Sequence, residues 1–198
     1  MCSRFELSSR PRDLARRFGL DELPSAFATG EIRPTNGALI VNFSGAATMT
    51  WGLSVDWDNK PIINARSETL DRKPTFQPLL ENRCLVPATA YFEWRRDGNA
   101  RFKNRITNGD DNGDGGLFCF AGLTDGQRFT IITRAPIPSV AAIHNRMPVI
   151  LPASCQAEWI APASRFGDVA YLLGDDMKLS LTADEETPPP PRQGDLFG

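Results

Sequence analysis

Four residues of this chain have side chains suited to covalent and acid–base chemistry: Cys2, Asn64, Glu93 and His144. If Met1 is removed, Cys2 carries a free α-amine beside its thiol. Such an amine has a pKa of about 7.7–8.0, so part of it is neutral at physiological pH and can condense with an aldehyde to an imine. The thiol can then add to the imine and close a thiazolidine ring. No internal cysteine can do this, because its nitrogen is held in a peptide bond.

Glu93 and His144 are the candidates for moving protons. Glu93 interrupts the aromatic run 91–94 and, if this run is a strand, shares a face with Tyr91. It is either an exposed strand glutamate or a partly buried acid–base carboxylate. His144 is the only histidine of the chain and lies near Arg146, and its imidazole can titrate near neutral pH. A lone histidine is more often structural than catalytic, so the residue type alone leaves both interpretations open.

Asn64 and the other cysteines give weaker signals. Asn64 begins the polar segment 64–69, which by itself is typical of a surface turn. Cys84, Cys119 and Cys155 are expected to be small buried side chains, because the four cysteines have neither metal-site spacing nor a close pair. We therefore predict no metal and no other cofactor.

Charge and hydropathy allow a nucleic-acid partner without requiring one. The net charge is −2, but residues 175–198 contain six acidic and two basic side chains, which leaves the preceding part at about +2. Only four of the 22 basic residues are lysine, and arginine forks bind phosphate bidentately. The sequence has no run of about 18 apolar residues that would predict a membrane helix. The first residues do not resemble a signal peptide, so we expect a cytoplasmic protein.

The elements that must position these residues are mostly strands. Apolar periodicity predicts a helix over residues 12–18, ended by Gly19, and a second helix over 153–160. Apolar and β-branched runs predict strands over 37–43, 46–55, 83–87, 90–95, 117–123 and 128–133. Many strands and few short helices predict an α+β domain around a mostly antiparallel, barrel-like sheet.

Two segments are predicted to lie outside the sheet. Residues 104–116 are rich in Asn, Asp and Gly and are predicted to form a hairpin loop. A calcium loop is excluded there, because Ala121 stands where the bidentate glutamate is needed. Four consecutive prolines at 188–191 favour an extended chain. We therefore predict one domain over residues 1–182 and a disordered Pro-rich tail over 183–198.

Seven stretches of the chain together resemble the SRAP family, the SOS response-associated peptidases that are also called abasic-site-processing proteins. They occur in family order and cover residues 1 to about 160. They read MCSRF (1–5), WGL (51–53), NARSET (64–69), RCLVPA (83–88), YFEW (91–94), FAGL (120–123) and HNRMPVIL (144–151).

The resemblance implies that the protein senses abasic sites in single-stranded DNA during SOS-response repair and forms a thiazolidine crosslink through Cys2. It implies that Glu93 and His144 move protons during sugar-ring opening, imine formation and reversal, and that Asn64 orients Cys2. The implied DNA-binding residues are the phosphate-binding Arg4, Arg66 and Arg146, the channel residues Trp51, Trp94 and Pro34, and the site-lining Thr133. We expect a monomer that acts in the nucleoid at replication forks.

The chain departs from the family pattern at several positions. Ser3 stands where the family usually has glycine, and Asn145 where many relatives carry aspartate. The segment 31–33 before Pro34 reads Glu-Ile-Arg in place of a common Asn-x-Ala pattern, and Thr124 replaces a frequent tryptophan. None of these changes removes an implied catalytic group, but they leave the rate and the lesion preference open.

Three other functions remain open at this point. An N-terminal-nucleophile hydrolase or glutamine amidotransferase would use Cys2 on an amide and would release ammonia from glutamine. A self-processing cysteine peptidase would cleave around Met1 and Cys2. A non-enzymatic binder of single-stranded or modified DNA would bind without Cys2 and leave no covalent product.

The tail carries a separate signal. Residues 193–197 read QGDLF and resemble the short peptide by which bacterial replication and repair proteins dock on the sliding clamp. Gln193 would supply a polar anchor, while Leu196 and Phe197 would fill an apolar pocket. The sequence therefore predicts a sliding clamp as a second partner.

Overall fold

The computed structural model describes residues 2–109, 115–174 and 179–186. In chain order its strands are β1 (Phe5–Leu7), β2 (Gly30–Ile32), β3 (Gly37–Asn42), β4 (Gly45–Trp51), β5 (Leu53–Val55), β6 (Asp58–Ile62), β7 (Asn64–Arg66), β8 (Arg83–Ala88), β9 (Ala90–Asp97), β10 (Ala100–Asn108), β11 (Phe118–Thr124), β12 (Arg128–Arg134), β13 (Met147–Pro148), β14 (Ile150–Leu151) and β15 (Leu181–Glu185). The α-helices are α1 (Pro11–Phe18), α2 (Pro138–Ala141), α3 (Ala153–Ile160) and α4 (Phe166–Val169). Short 3-10 helices cover Ser67–Thr69, Gln77–Leu79 and Ala170–Leu173.

Five strands close into a barrel. Hydrogen bonds connect them in the order β12-β4-β3-β8-β11, and β11 pairs with β12 again. All of these pairings are antiparallel except that of β12 with β4. Closure pairs the backbone groups that an open sheet edge would leave exposed. The predicted α+β domain around a mostly antiparallel, barrel-like sheet is confirmed.

A second sheet packs against the barrel and carries the start of the chain. Its five strands lie in the order β15-β10-β9-β1-β2. Because side chains alternate along a strand, one face is buried, with Phe5, Tyr91 and Ile106 at 0% exposure. Phe5 joins the two layers, since its ring packs edge-on against Trp51 and Phe120 at centroid distances of 5.1 and 5.8 Å.

Both predicted helices are present. Helix α1 has Pro11 in its first turn and ends at Gly19, whose φ of 61° gives the left-handed cap that glycine adopts without strain. Helix α3 covers the predicted residues and buries Trp159, whose indole N–H donates to the Cys84 carbonyl at 3.1 Å. No helix in the described part of the chain is long and apolar enough to cross a membrane.

The predicted hairpin loop over residues 104–116 is wrong. Residues up to Asn108 belong to β10, which pairs with β9 and β15, whereas β11 belongs to the barrel. The segment therefore connects two sheets and not two paired strands. Its polar residues are compatible with a strand because Arg105 pairs with Glu6, and the Asn104 side chain donates to the Phe102 carbonyl at 3.0 Å.

Two predicted boundaries also change. The strand predicted over 46–55 is interrupted at Gly52, where φ is 115° and a Cβ would lie 2.5 Å from Pro61. At the other end of the chain, β15 pairs with β10 as far as Glu185, so the sheet extends beyond residue 182. The predicted tail residues from 187 onward, including Gln193, Leu196 and Phe197, lie outside the described residues.

Candidate active site

The four residues with candidate chemistry come from separate parts of the fold and meet at one point. Cys2 precedes β1, Glu93 lies in the neighbouring β9, Asn64 begins β7 beside the barrel, and His144 follows α2. Asn64 Nδ2 donates to the Cys2 carbonyl at 2.7 Å, and His144 Nε2 lies 3.9 Å from Glu93 Oε2. The seam between the two sheets therefore brings all four together.

Glu93 is a buried carboxyl group and not an exposed strand glutamate. It is 2% exposed and lies on the same strand face as the fully buried Tyr91. Burial raises the pKa of Glu93 to about 7. Its protonated and ionised forms are therefore both populated near neutral pH, as proton transfer in both directions requires.

His144 lies beside Glu93, with its Nε2 3.9 Å from the carboxylate. Burial lowers the pKa of His144, so the neutral imidazole is favoured near pH 7. Its Nδ1 lies 3.0 Å from the Arg146 amide nitrogen and 3.1 Å from the Arg146 carbonyl oxygen. Either tautomer therefore has a backbone partner: Nδ1 accepts from the amide when Nε2 carries the proton, and donates to the carbonyl when Nε2 is free to accept.

The Cys2 thiol is fully buried and protonated. Its burial, together with the nearby Glu93 carboxylate, raises the pKa of the thiol. The thiol donates to the Arg4 carbonyl at 3.5 Å. A cysteine peptidase needs a thiol whose pKa is lowered, so this environment acts in the opposite direction.

The buried polar atoms at this seam that lack a hydrogen-bond partner within the described ranges include the Asn64 side-chain oxygen and the Tyr91 hydroxyl. Burial raises the pKa of Tyr91, and the Cys2 and Glu93 groups raise it further, which places the hydroxyl close to both. Leaving a buried donor or acceptor unpaired costs about 1–3 kcal/mol. Such atoms are therefore candidates for contacts with a ligand, or with the α-amine that Cys2 gains when Met1 is removed.

Thr133 is fully buried, like Cys2, and its contact with a ligand stays a prediction. Its carbonyl accepts from Arg146 Nη2 at 2.6 Å. Glu68 holds the same guanidinium through both carboxylate oxygens, with Nη2 to Oε2 at 2.9 Å. Thr133 and Glu68 therefore fix the orientation of Arg146 beside His144.

The structure corrects the predicted role of Trp51. This side chain has 0% exposure, packs between Phe5 and Phe129, and donates to the Ile63 carbonyl at 3.0 Å. It belongs to the barrel core and offers no surface to DNA.

A different tryptophan, which the sequence analysis missed, is exposed near the site. Trp57 is 70% exposed between β5 and β6. It lines an open groove of about 410 Å³ together with Ile62, Asn64, Arg66, Thr69 and Lys73. The sequence does indicate this exposure, because Trp57 lies between Asp56 and Asp58, and an aromatic residue in so polar a turn is not expected to be buried.

The other predicted DNA-binding residues lie on the surface around the site. Arg4 packs over the Trp94 ring at 5.2 Å from the centroid, and Arg66 is exposed in the groove without an ion pair to any described residue. Pro34 lies in a tight turn where Thr35 has a φ of 73°. A left-handed residue other than glycine costs about 1–3 kcal/mol, and such strain is often found at functional sites.

A larger cleft of about 700 Å³ lies elsewhere, between α1 and β10. It contains no predicted catalytic residue. Its arginines are bound within the fold: Arg10 and Arg16 pair with Asp13, Arg105 pairs with Glu6, and Arg17 donates to the Gln156 side-chain oxygen at 3.0 Å. The seam around Cys2 is therefore the candidate active site.

Comparison with known proteins gives the family of the chain. The family model described as SOS response associated peptidase (SRAP) matches residues 1–183. The abasic site processing protein YoqW of Bacillus subtilis is 34% identical over 206 residues, which cover 90% of each chain. The abasic site processing protein YedK of Escherichia coli is 31% identical over 118 residues, covering 56% of this chain and 52% of YedK.

Solved structures show the same fold. A protein from Bacteroides thetaiotaomicron superposes with a TM-score of 0.79 at 23% identity, covering 94% of this chain and 93% of that one. A protein from Bordetella bronchiseptica gives a TM-score of 0.78 at 22% identity, covering 94% and 100%. The chain belongs to the SRAP family, whose curated relatives are named abasic site processing proteins.

Proposed function

We propose that this protein processes abasic sites in single-stranded DNA and captures the aldehyde of the opened sugar on Cys2, forming a thiazolidine crosslink. The observation that carries the proposal is the convergence of Cys2 with a buried Glu93 whose pKa is about 7 and with His144. The product would protect the lesion during replication-associated repair in the SOS response.

The proposed chemistry begins with proton transfers by Glu93 and His144. The ionised Glu93 accepts the proton of the anomeric hydroxyl, while His144 Nε2–H donates to the ring oxygen, and the sugar opens to its aldehyde. The Cys2 amine adds to the aldehyde carbon, and the carbinolamine loses water to give an imine. The thiol sulfur then bonds to the imine carbon while its proton moves to nitrogen. One molecule of water leaves overall.

The unpaired Asn64 oxygen supports a free α-amine on Cys2. Asn64 already donates to the Cys2 carbonyl, so its side-chain oxygen lies beside the same residue as a buried acceptor. Once Met1 is removed, an N–H of the new α-amine can pair with this oxygen. Holding amine and aldehyde at about 3–3.5 Å supplies an effective concentration of the order of 10⁵ M or more.

The raised pKa of the Cys2 thiol weighs against the hydrolase and peptidase alternatives. Those enzymes use the sulfur as their first nucleophile, which requires an accessible thiolate. In the proposed route the amine attacks first and the thiol adds later to an activated carbon. Release of ammonia from glutamine would favour the hydrolase alternative.

The proposed function is tested with a single-stranded oligonucleotide that carries one abasic site. We expect a protein–DNA adduct that survives a denaturing gel, and none with the same oligonucleotide carrying an intact base. Non-covalent binding of both oligonucleotides without any adduct would support the alternative of a simple DNA binder.

We propose that the groove beside Asn64 guides the DNA strand, with a base stacked on Trp57 and phosphates on Arg66 and Lys73. Aromatic stacking contributes about 1–3 kcal/mol per base, so Trp57→Ala is expected to weaken binding of undamaged single strands by about that amount. Fluorescence anisotropy measures the change. Phe43→Ala is the matched control, because Phe43 is 61% exposed but lies in the turn after β3. Equal losses for the two variants would contradict the stacking role.

The tail is proposed to dock on a sliding clamp and so to deliver the enzyme to replication forks. A peptide of residues 188–198 is expected to bind a bacterial clamp with micromolar affinity, about −8 kcal/mol, measured by calorimetry. Replacing Leu196 and Phe197 by alanine should remove this binding and leave crosslinking of naked oligonucleotides unchanged. A wild-type peptide that shows no saturable binding would contradict the docking role.

A further inference from the structure

The carboxylate of Glu31 lies at the centre of three cations on the outer face of the five-stranded sheet. Its Oε1 accepts from Arg4 Nη1 at 3.2 Å and from Arg33 Nη2 at 2.8 Å, and its Oε2 accepts from Lys103 Nζ at 3.1 Å. Partial burial raises the pKa of the Glu31 carboxyl, but the bonds from Arg33 and Lys103 outweigh it and hold the pKa below its usual value. Glu31 is therefore ionised at neutral pH.

This arrangement is unusual for a sheet surface. Glu31 lies directly across from Glu6 in the pairing of β1 with β2, and like charges in this position repel. Glu6 has its own bidentate partner in Arg105, at 2.8 and 3.1 Å. The two carboxylates thus belong to separate ion pairs. Of the three cations around Glu31, Lys103 also pairs with Glu186 Oε2 at 3.0 Å, whereas the ion pairs of Arg4 and Arg33 within the described residues are with Glu31.

Three converging cations around one anion also form the geometry of a phosphate site. Guanidinium groups and an ammonium group bind phosphate oxygens as they bind carboxylate oxygens. Two of the three cations are accessible, since the Arg33 and Arg4 side chains are 60% and 34% exposed. Arg4 also packs on Trp94, whose ring has Arg101 5.7 Å from its centroid.

The position of this cluster relates it to the reacting nucleotide. Arg4 is two residues from Cys2, and its carbonyl accepts from the Cys2 thiol. A DNA phosphate bound by Arg4 would therefore lie close to the captured sugar. Bound there, it would occupy the same donors that Glu31 occupies in the free protein.

We propose that Arg4, Arg33 and Lys103 form a phosphate-binding cradle and that Glu31 is its internal anion, which the DNA backbone must displace. The inference rests on the proposed function and extends it. Displacing Glu31 costs free energy, which offsets part of the favourable free energy of each phosphate contact. Undamaged strands therefore bind weakly and are released. At an abasic site the covalent bond retains the strand, and selectivity for damage over intact DNA increases.

The test is the affinity of Glu31→Gln for an undamaged single-stranded oligonucleotide, measured by anisotropy over a range of salt concentrations. The substitution frees Arg4 and Arg33, while Lys103 keeps its ion pair with Glu186. Affinity is expected to increase about two- to fivefold at low salt, which is the range for loss of a competing exposed ion pair. The salt dependence should steepen by about 0.7 in log–log slope for each cation that gains a phosphate. Glu6→Gln is the matched control, because it removes the same charge from the same sheet face but leaves the cradle occupied.

The outcomes separate this inference from the proposed function. A larger gain for Glu31→Gln than for Glu6→Gln supports the cradle, whereas equal gains, no gain or a loss overturn it. If neither the wild-type protein nor the variants bind single strands at low salt, the proposed function itself is contradicted. Should thermal unfolding show that Glu31→Gln is unfolded, Arg33→Gln replaces it: the cradle predicts a lower affinity and a shallower salt slope, and unchanged binding overturns it.

Discussion

Replacement of Cys2 by alanine is expected to abolish the denaturation-resistant adduct with abasic single-stranded DNA. The alanine variant retains an α-amine and can form an imine, but it has no thiol to close the ring, and the imine hydrolyses. Cys2→Ser should behave in the same way, with an imine that borohydride traps. The adduct is measured on a denaturing gel after a fixed reaction time, with and without borohydride.

Cys155→Ser is the matched control for this variant. Cys155 is partly exposed in α3, away from the seam between the sheets, so its loss should leave the adduct yield unchanged. Binding of undamaged single strands should be similar in all three variants, because none of them removes a proposed phosphate or base contact. A wild-type yield of stable adduct from Cys2→Ala would contradict the thiazolidine mechanism.

Replacement of Glu93 by glutamine is expected to slow capture by about 10²- to 10⁴-fold, the usual contribution of a positioned acid–base group. Glutamine keeps the size of the side chain but cannot accept the proton of the anomeric hydroxyl. The nucleophile remains, so the final yield should approach that of the wild type at long times. Single-turnover rates from quenched reactions measure the effect.

The capture rate is also expected to depend on pH and to fall as the pH is lowered. Glu93 must be ionised to act as the base, and its pKa is about 7, so the wild-type rate should fall as the pH drops below that value. The α-amine must also be neutral, and its pKa of about 7.7–8.0 gives a second proton dependence in the same direction. Glu93→Gln should lose the first dependence and keep the second. Glu185→Gln is the control, because it removes an exposed carboxylate from the same sheet.

An unchanged rate and pH profile for Glu93→Gln would return this residue to a structural role. A smaller loss for His144→Ala is compatible with the mechanism, since Glu93 can exchange protons with water while the imidazole is absent. If Glu93→Gln and His144→Ala both capture DNA at the wild-type rate, the proposed proton transfers are contradicted.

The sequence predicted the elements whose signals are local. The cap at Gly19 and the helix over 153–160 follow from capping and periodicity, and alternation along the run 91–94 correctly placed Glu93 on the face of Tyr91. The predicted loop over 104–116 failed because its composition is typical of loops, while β10 obtains its partners from strands distant in the sequence.

The residues of the candidate site could be predicted from the sequence, but the contacts between their side chains could not. Exposure of a tryptophan depends on the packing of distant segments, so the sequence could not tell that Trp51 is buried against Phe5 and that Trp57 is not. The ion pairs of Glu31 and Glu68 depend likewise on which strands become neighbours. Their effect on the arginines predicted to bind phosphate could be recognised only in three dimensions.

Mass spectrometry of the protein after reaction with an abasic single-stranded oligonucleotide tests whether Cys2 captures the opened sugar. Without borohydride, we expect a species that lacks Met1 and has the mass of protein plus oligonucleotide less one water. After proteolysis and nuclease digestion, the added mass should lie on the peptide that begins at Cys2. Attachment to any other residue, or an adduct on protein that retains Met1, would contradict thiazolidine formation at Cys2.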